Sequence, residues 1–124
     1  MAKILIVDDS ALILAMLEST LTQMGHSVVK VSDGYTVVPT FQKEKPDLVV
    51  LDFHMPAASG ADVYQRIRML SIGEKTPVIF LSASSPYELQ YVIPEEPLVR
   101  FLQKPVDIKV LQDTVNEMMP QQPA

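Results

Sequence analysis

The chain has no cysteine, no tryptophan, only two histidines, no run of basic residues and no long apolar stretch. The missing cysteine excludes disulfides, thiolate zinc sites and a cysteine nucleophile. His26 and His54 leave little room for an imidazole metal cage. Ten Lys and Arg against fifteen Asp and Glu give a formal charge of −5. Nucleic-acid binding draws its affinity from Lys and Arg set against phosphates, so an acidic chain of this kind is expected not to bind nucleic acid directly. The longest apolar run, Ala11 to Leu17, falls far short of the ~20 residues that cross a bilayer. It also follows Asp8-Asp9-Ser10, where a secretory leader would carry positive charge. The expectation is a cytoplasmic protein with no membrane segment.

What is present is a regular alternation. The 124 residues, 48% of them apolar, suit one domain with its own core. Lys3 to Val7 reads as a buried strand. A helix follows, with Leu14, Leu17, Leu21 and Met24 on one face, Ser10 or Asp9 as its cap and Gly25 at its end. His26 to Val31 is a second strand, closed by the turn Ser32-Asp33-Gly34. Tyr35 to Lys45 is helical, but Pro39 predicts a late start or a kink. Leu48 to Leu51 is apolar without alternation, as in a strand buried on both faces, and runs into Asp52.

Beyond the loop from Phe53 to Gly60, a helix carries Val63, Ile67 and Leu70 inward. Val78 to Leu81 is a fourth strand, ending at Ser82. A short helix is expected from about Pro86 to Ile93, stopped by Pro94. Leu98 to Leu102 is the fifth strand, ahead of Lys104-Pro105. The last helix takes Asp107 as its cap and sets Ile108, Leu111, Val115 and Met118 on one face, before Pro120. Five strands and five helices in strict alternation predict a doubly wound α/β domain with a parallel sheet. It spans 1–120, with 121–124 as a short tail.

Parallel strands end at one edge, where open α/β sheets bind ligands. The residues following these strands are Asp8 and Asp9, Asp52, Ser82 and Lys104. Singly, each has a plain explanation: a helix cap, a loop hydroxyl, a solvated lysine. Together, three carboxylates at one edge repel each other unless a cation joins them, and oxygen ligands suit a hard ion such as Mg²⁺. A carboxylate can act as nucleophile towards phosphorus, and phosphoryl transfer needs mainly positioning and charge neutralisation. The set suits that chemistry.

The motifs ILIVDDS (Ile4 to Ser10), DLVVLDFHMP (Asp47 to Pro56) with Gly60, VIFLSAS (Val78 to Ser84) and FLQKP (Phe101 to Pro105) resemble those of the receiver domain of bacterial two-component response regulators, the CheY-like superfamily. The resemblance covers nearly the whole chain. It implies a flavodoxin-like sheet of order 2-1-3-4-5, with Asp52 as phosphoacceptor. The donor would be a phosphohistidine on a sensor histidine kinase or a phosphotransfer protein. Asp9, Asp52 and the backbone carbonyl of His54 would hold Mg²⁺, with Mn²⁺ as the alternative ion and Asp8 assisting through water. Lys104 would pair with the phosphoryl group. Ser82 would swing towards it while Phe101 moves inward, and Lys104-Pro105 would be cis. The plain alternative for Phe101 is a strand residue packed on the last helix. A downstream target would bind the fourth helix, fifth strand and last helix.

Some positions depart from the family pattern. Ser82 stands where threonine is commoner, and Ala58 and Ser59 alter the rim after Met55-Pro56. Pro94-Glu95-Glu96-Pro97 should shorten the fourth helix and stiffen its exit on the expected partner face. His54 and Ser84, two residues beyond Asp52 and Ser82, are expected to tune the lifetime of the phosphoryl group. With about four residues after the last helix, no output domain is expected in this chain, which reads as a stand-alone receiver or one excised from a longer regulator. On this reading the chain is a signalling switch that catalyses only its own phosphorylation and dephosphorylation. Two other functions compete. A Mg²⁺-dependent aspartyl-phosphate phosphohydrolase would want an acid where His54 stands. A pseudo-receiver working without phosphorylation would not need the full acidic and lysine set.

Overall fold

The computed structural model describes residues 2–55, 59–73, 75–84 and 96–119 of the chain. Five strands, β1 (Lys3–Val7), β2 (Ser27–Val31), β3 (Leu48–Asp52), β4 (Val78–Ser82) and β5 (Val99–Gln103), form one sheet of order β2-β1-β3-β4-β5. All four pairings are parallel, as the alternation of elements requires. Among the described residues there are four α-helices: α1 (Ala11–Gln23), α2 (Val37–Glu44), α3 (Gly60–Met69) and α4 (Ile108–Met118). The helix expected over 86–93 and the tail 121–124 lie outside the described residues.

The central strands are buried on both sides because they are apolar apart from Lys3 at the start of β1 and Asp52 and Ser82 at the ends of β3 and β4. Successive residues point to opposite faces, so Leu5, Val49 and Phe80 pack with α2 and α3, while Ile4, Val50 and Ile79 pack with α1 and α4. Each of these six is fully buried, and burying such a side chain contributes roughly 1.5–3 kcal/mol.

Local signals in the sequence account for the helix ends. Ser10 caps α1 by accepting from the Ile13 amide, and Asp107 caps α4 by accepting from Val110. Gly25, at φ +94°, makes the left-handed turn after α1. Pro39 is the third residue of α2, which begins at Val37 rather than Tyr35. There the missing N–H costs nothing, because the first turn has no partner for it.

Four expectations need correcting. β2 starts at Ser27, one residue later than His26. β5 starts and ends one residue later than Leu98 to Leu102. Ile108 shares the predicted stripe of α4 but is 50% exposed, whereas Leu111, Val115 and Met118 are buried. Periodicity gives the direction of a side chain, not whether anything lies beneath it. Phe101 packs in the cluster on the α2 and α3 side of the sheet, so its alternative reading, packing on the last helix, fails. Its neighbour Leu102 is the residue that faces α4.

Candidate functional site

The carboxyl ends of β1, β3, β4 and β5 bring the predicted residues to one edge. Asp52 is the last residue of β3 and only 2% exposed. Its Oδ1 accepts from the His54 amide at 3.1 Å. Asp8, directly after β1, is fully buried, and its Oδ1 accepts from the Ser10 amide at 2.9 Å. Asp9 is exposed. One carboxylate oxygen from each of Asp8, Asp9 and Asp52 can be chosen so that all lie within 4.8 Å of one another.

Lys104, just past β5, reaches across the sheet edge. Its Nζ donates to Asp8 Oδ2 at 3.0 Å and lies 3.4 Å from Asp52 Oδ1. Burial alone would lower the Lys104 pKa, but the Asp8 and Asp52 carboxylates outweigh it and the value is raised. Asp52 is also raised, first by burial and then by the charge of Asp8, against the opposing pull of the His54 amide and Lys104. The charge set is therefore unbalanced: one ammonium faces three carboxylates. The donors are all hard oxygens, which fit Mg²⁺.

Ser82 closes the site at the end of β4, with its side chain 1% exposed. Its Oγ accepts from the Ser84 amide at 3.0 Å, and its carbonyl accepts from the Lys104 amide at 2.7 Å. Thus the Ser82 loop and the Lys104 loop are tied together. The Lys104-Pro105 bond is cis, as expected. His54 is exposed beside the site, its ring edge-on to Phe53 at 4.9 Å.

Two features were not read from the sequence. One is the Asp8–Lys104 ion pair, shorter than the contact of Lys104 with Asp52; the buried position of Asp8 after an all-apolar strand was the available signal. The other is the reason for Gly60. A Cβ there would lie 2.6 Å from the Asp52 carbonyl oxygen and 2.7 Å from Phe53 Cα. Only a glycine lets the start of α3 pack against the end of β3, where its amide donates to the Phe53 carbonyl at 2.8 Å.

A parallel α/β sheet with this acidic edge and a bridging lysine defines a narrow class. The profile of the response regulator receiver domain matches residues 4–116. Protein PilH of Pseudomonas aeruginosa is 34% identical over 96% of this chain and 98% of its own. Sporulation initiation phosphotransferase F of Bacillus subtilis is 30% identical over 95% and 94%. Among solved structures, the chemotaxis response regulator CheY4 of Vibrio cholerae superimposes with a TM-score of 0.89 at 29% identity, covering 96% of this chain and 99% of that one. The chain belongs to the response regulator receiver domain family of two-component systems. It spans only about a third, 31–33%, of the length of the probable transcriptional regulators of Guillardia theta, Pyropia yezoensis and others that it also matches.

Proposed function

We propose that this chain is a phosphoryl-accepting signalling switch working in the cytoplasm. An Asp52 carboxylate oxygen attacks the phosphorus of a phosphohistidine on a sensor histidine kinase or phosphotransfer protein. A P–O bond to Asp52 forms as the P–N bond breaks, and the imidazole leaves. Hydrolysis later returns the carboxylate and inorganic phosphate. Asp8, Asp9, Asp52 and the His54 backbone carbonyl would hold Mg²⁺, with Mn²⁺ as the alternative ion. When bound, the ion supplies positive charge to the phosphoryl oxygens and offsets the carboxylates.

The observation that carries this reading is the convergence of three carboxylates on one edge with Lys104 bridging Asp8 and Asp52. In the phosphorylated state Lys104 exchanges Asp52 for the phosphoryl group, its ammonium set against the phosphoryl oxygens. The Ser82 hydroxyl turns towards the same group, releasing the Ser84 amide, and Phe101 moves inward on the α3 side. His54, exposed, and Ser84 tune how readily water reaches the phosphorus. A downstream protein reads the change on β5 and α4, together with the helix expected over 86–93, which lies outside the described residues. The name of the phosphotransferase relative agrees with phosphoryl transfer.

Intact-mass measurement after incubation with acetyl phosphate and Mg²⁺ tests the proposal. One added phosphoryl group is expected on the wild type, none on Asp52→Asn, and none in EDTA. Wild type and Asp52→Asn gaining the group equally would refute it.

A further inference from the structure

Away from the carboxylates, Arg68 on α3 is the most connected side chain among the described residues, and it stands at the opposite edge of the sheet. Its guanidinium donates to Glu96 Oε1 from Nε at 3.1 Å and from Nη2 at 3.0 Å. Nη1 donates to the carbonyls of Gly73 at 3.0 Å and Thr76 at 2.6 Å. The Arg68 side chain is 15% exposed and that of Glu96 35%, so the guanidinium half of the pair is largely shielded while the carboxylate half is partly open to solvent. One arginine thereby joins α3, the turn after it, the entry to β4 and the residue three before β5.

The same guanidinium lies over the Tyr64 ring, 4.8 Å from its centroid. Tyr64 is buried, and its hydroxyl is raised in pKa first by burial and then by the nearby Glu96, against the opposing pull of Arg68. Tyr64 meets the edge of Phe80 at 5.5 Å, and Phe80 is fully buried. Phe80 in turn stacks on Phe101, with centroids 5.5 Å apart and planes 17° from parallel. A continuous set of contacts runs from Glu96 through Arg68, Tyr64 and Phe80 to Phe101. Phe101 is half-buried on the same face of the sheet as Phe80 and Tyr64. Inward movement of Phe101 changes its stacking on Phe80, and through Phe80 the contact with Tyr64.

We propose that the Arg68–Glu96 pair is an autoinhibitory latch: it clamps the Tyr64–Phe80 rings in the packing described here and so opposes the inward movement of Phe101. The inference rests on the receiver reading above. A contact made in one of two states favours that state, and its loss shifts the population towards the other. Glu96 sits in the Pro94-Glu95-Glu96-Pro97 segment that departs from the family pattern, so the latch is a property of this chain. It sets how far a given phosphoryl group shifts the population.

The test is a calorimetric titration with beryllofluoride in saturating Mg²⁺, comparing wild type, Glu96→Gln, Tyr64→Phe and Asp52→Asn. Glu96→Gln removes the charge that holds Arg68, and Tyr64→Phe keeps the ring under the guanidinium while removing the hydroxyl near Glu96. Glu96→Gln is expected to bind beryllofluoride about fivefold more tightly than wild type, at the lower end of ordinary coupling between sites. Tyr64→Phe should also tighten binding, and Mg²⁺ affinity alone should be the same in all three. Unchanged or weaker beryllofluoride binding in both variants overturns the latch. Should Glu96→Gln fail to fold, Arg68→Lys, which keeps the charge but loses the paired Nε and Nη2 donors to Glu96 Oε1, takes its place with the same expected tightening. Failure of the wild type to bind beryllofluoride at all, or equal binding by Asp52→Asn, overturns the receiver reading instead.

Discussion

Asp52 is nearly buried beside a second carboxylate, so its ionised form is disfavoured in the folded chain relative to the unfolded one. The sign of the consequence follows from linkage. A carboxyl whose folded pKa lies above its ordinary 3.8 contributes stability below that value and loses it as pH rises through the folded pKa. At neutral pH without Mg²⁺, Asp52 therefore costs stability. Asp52→Asn is expected to raise the thermal midpoint by several degrees, the scale of about 1 kcal/mol in a domain of this size. The gain should shrink as pH is lowered from about 7 to about 4, which a series of melting curves would show. A lower midpoint for Asp52→Asn at neutral pH would mean that the Lys104 contact outweighs burial. The sequence exposed the site residues one by one, since each follows a strand. It did not show which carboxylate Lys104 prefers, because that depends on distances across strands whose residues are 96 positions apart.

At the scale of elements, the approach of α3 to β3 decides the shape of the site. A methyl group on Gly60 would press on the backbone of Asp52 and Phe53, not on a flexible side chain. Gly60→Ala is expected to destabilise the fold by about 1–3 kcal/mol, as overpacking does. By shifting the Asp52 backbone it should also weaken Mg²⁺ binding, and denaturant melts with and without the ion check both effects. Most elements were legible because their patterns are strong. Leu48 to Leu51 has the unbroken apolar run usual in a doubly buried strand, and Ser10, Gly25 and Asp107 mark helix ends by their own chemistry. The errors fall where pattern is silent on packing. Ile108 continues a stripe yet is half exposed, and the face that Phe101 takes is set by its pairing with Phe80 across β4 and β5.

For the molecule as a whole, the unbalanced carboxylates mean that a divalent cation should stabilise the folded chain. Binding to the native state alone adds RT ln(1 + [L]/Kd), about 2.7 kcal/mol at a hundredfold excess over Kd. Mg²⁺ is expected to raise the melting midpoint in wild type and to do so far less in Asp9→Ala, as scanning calorimetry would read. Asp9 is the partner to change because it is exposed and its loss leaves the core intact. The sequence-level reading and the fold agree on the parallel sheet because the winding, the strand ends and the charged edge are one arrangement. The central claim is that Asp52 is the group that carries the phosphoryl. The most direct measurement is borohydride reduction of the protein after reaction with acetyl phosphate and Mg²⁺, followed by peptide mapping. Reduction converts an acyl phosphate to an alcohol, so homoserine at position 52 is the predicted result. Homoserine at another position, at Asp8 or Asp9 in particular, would contradict the account.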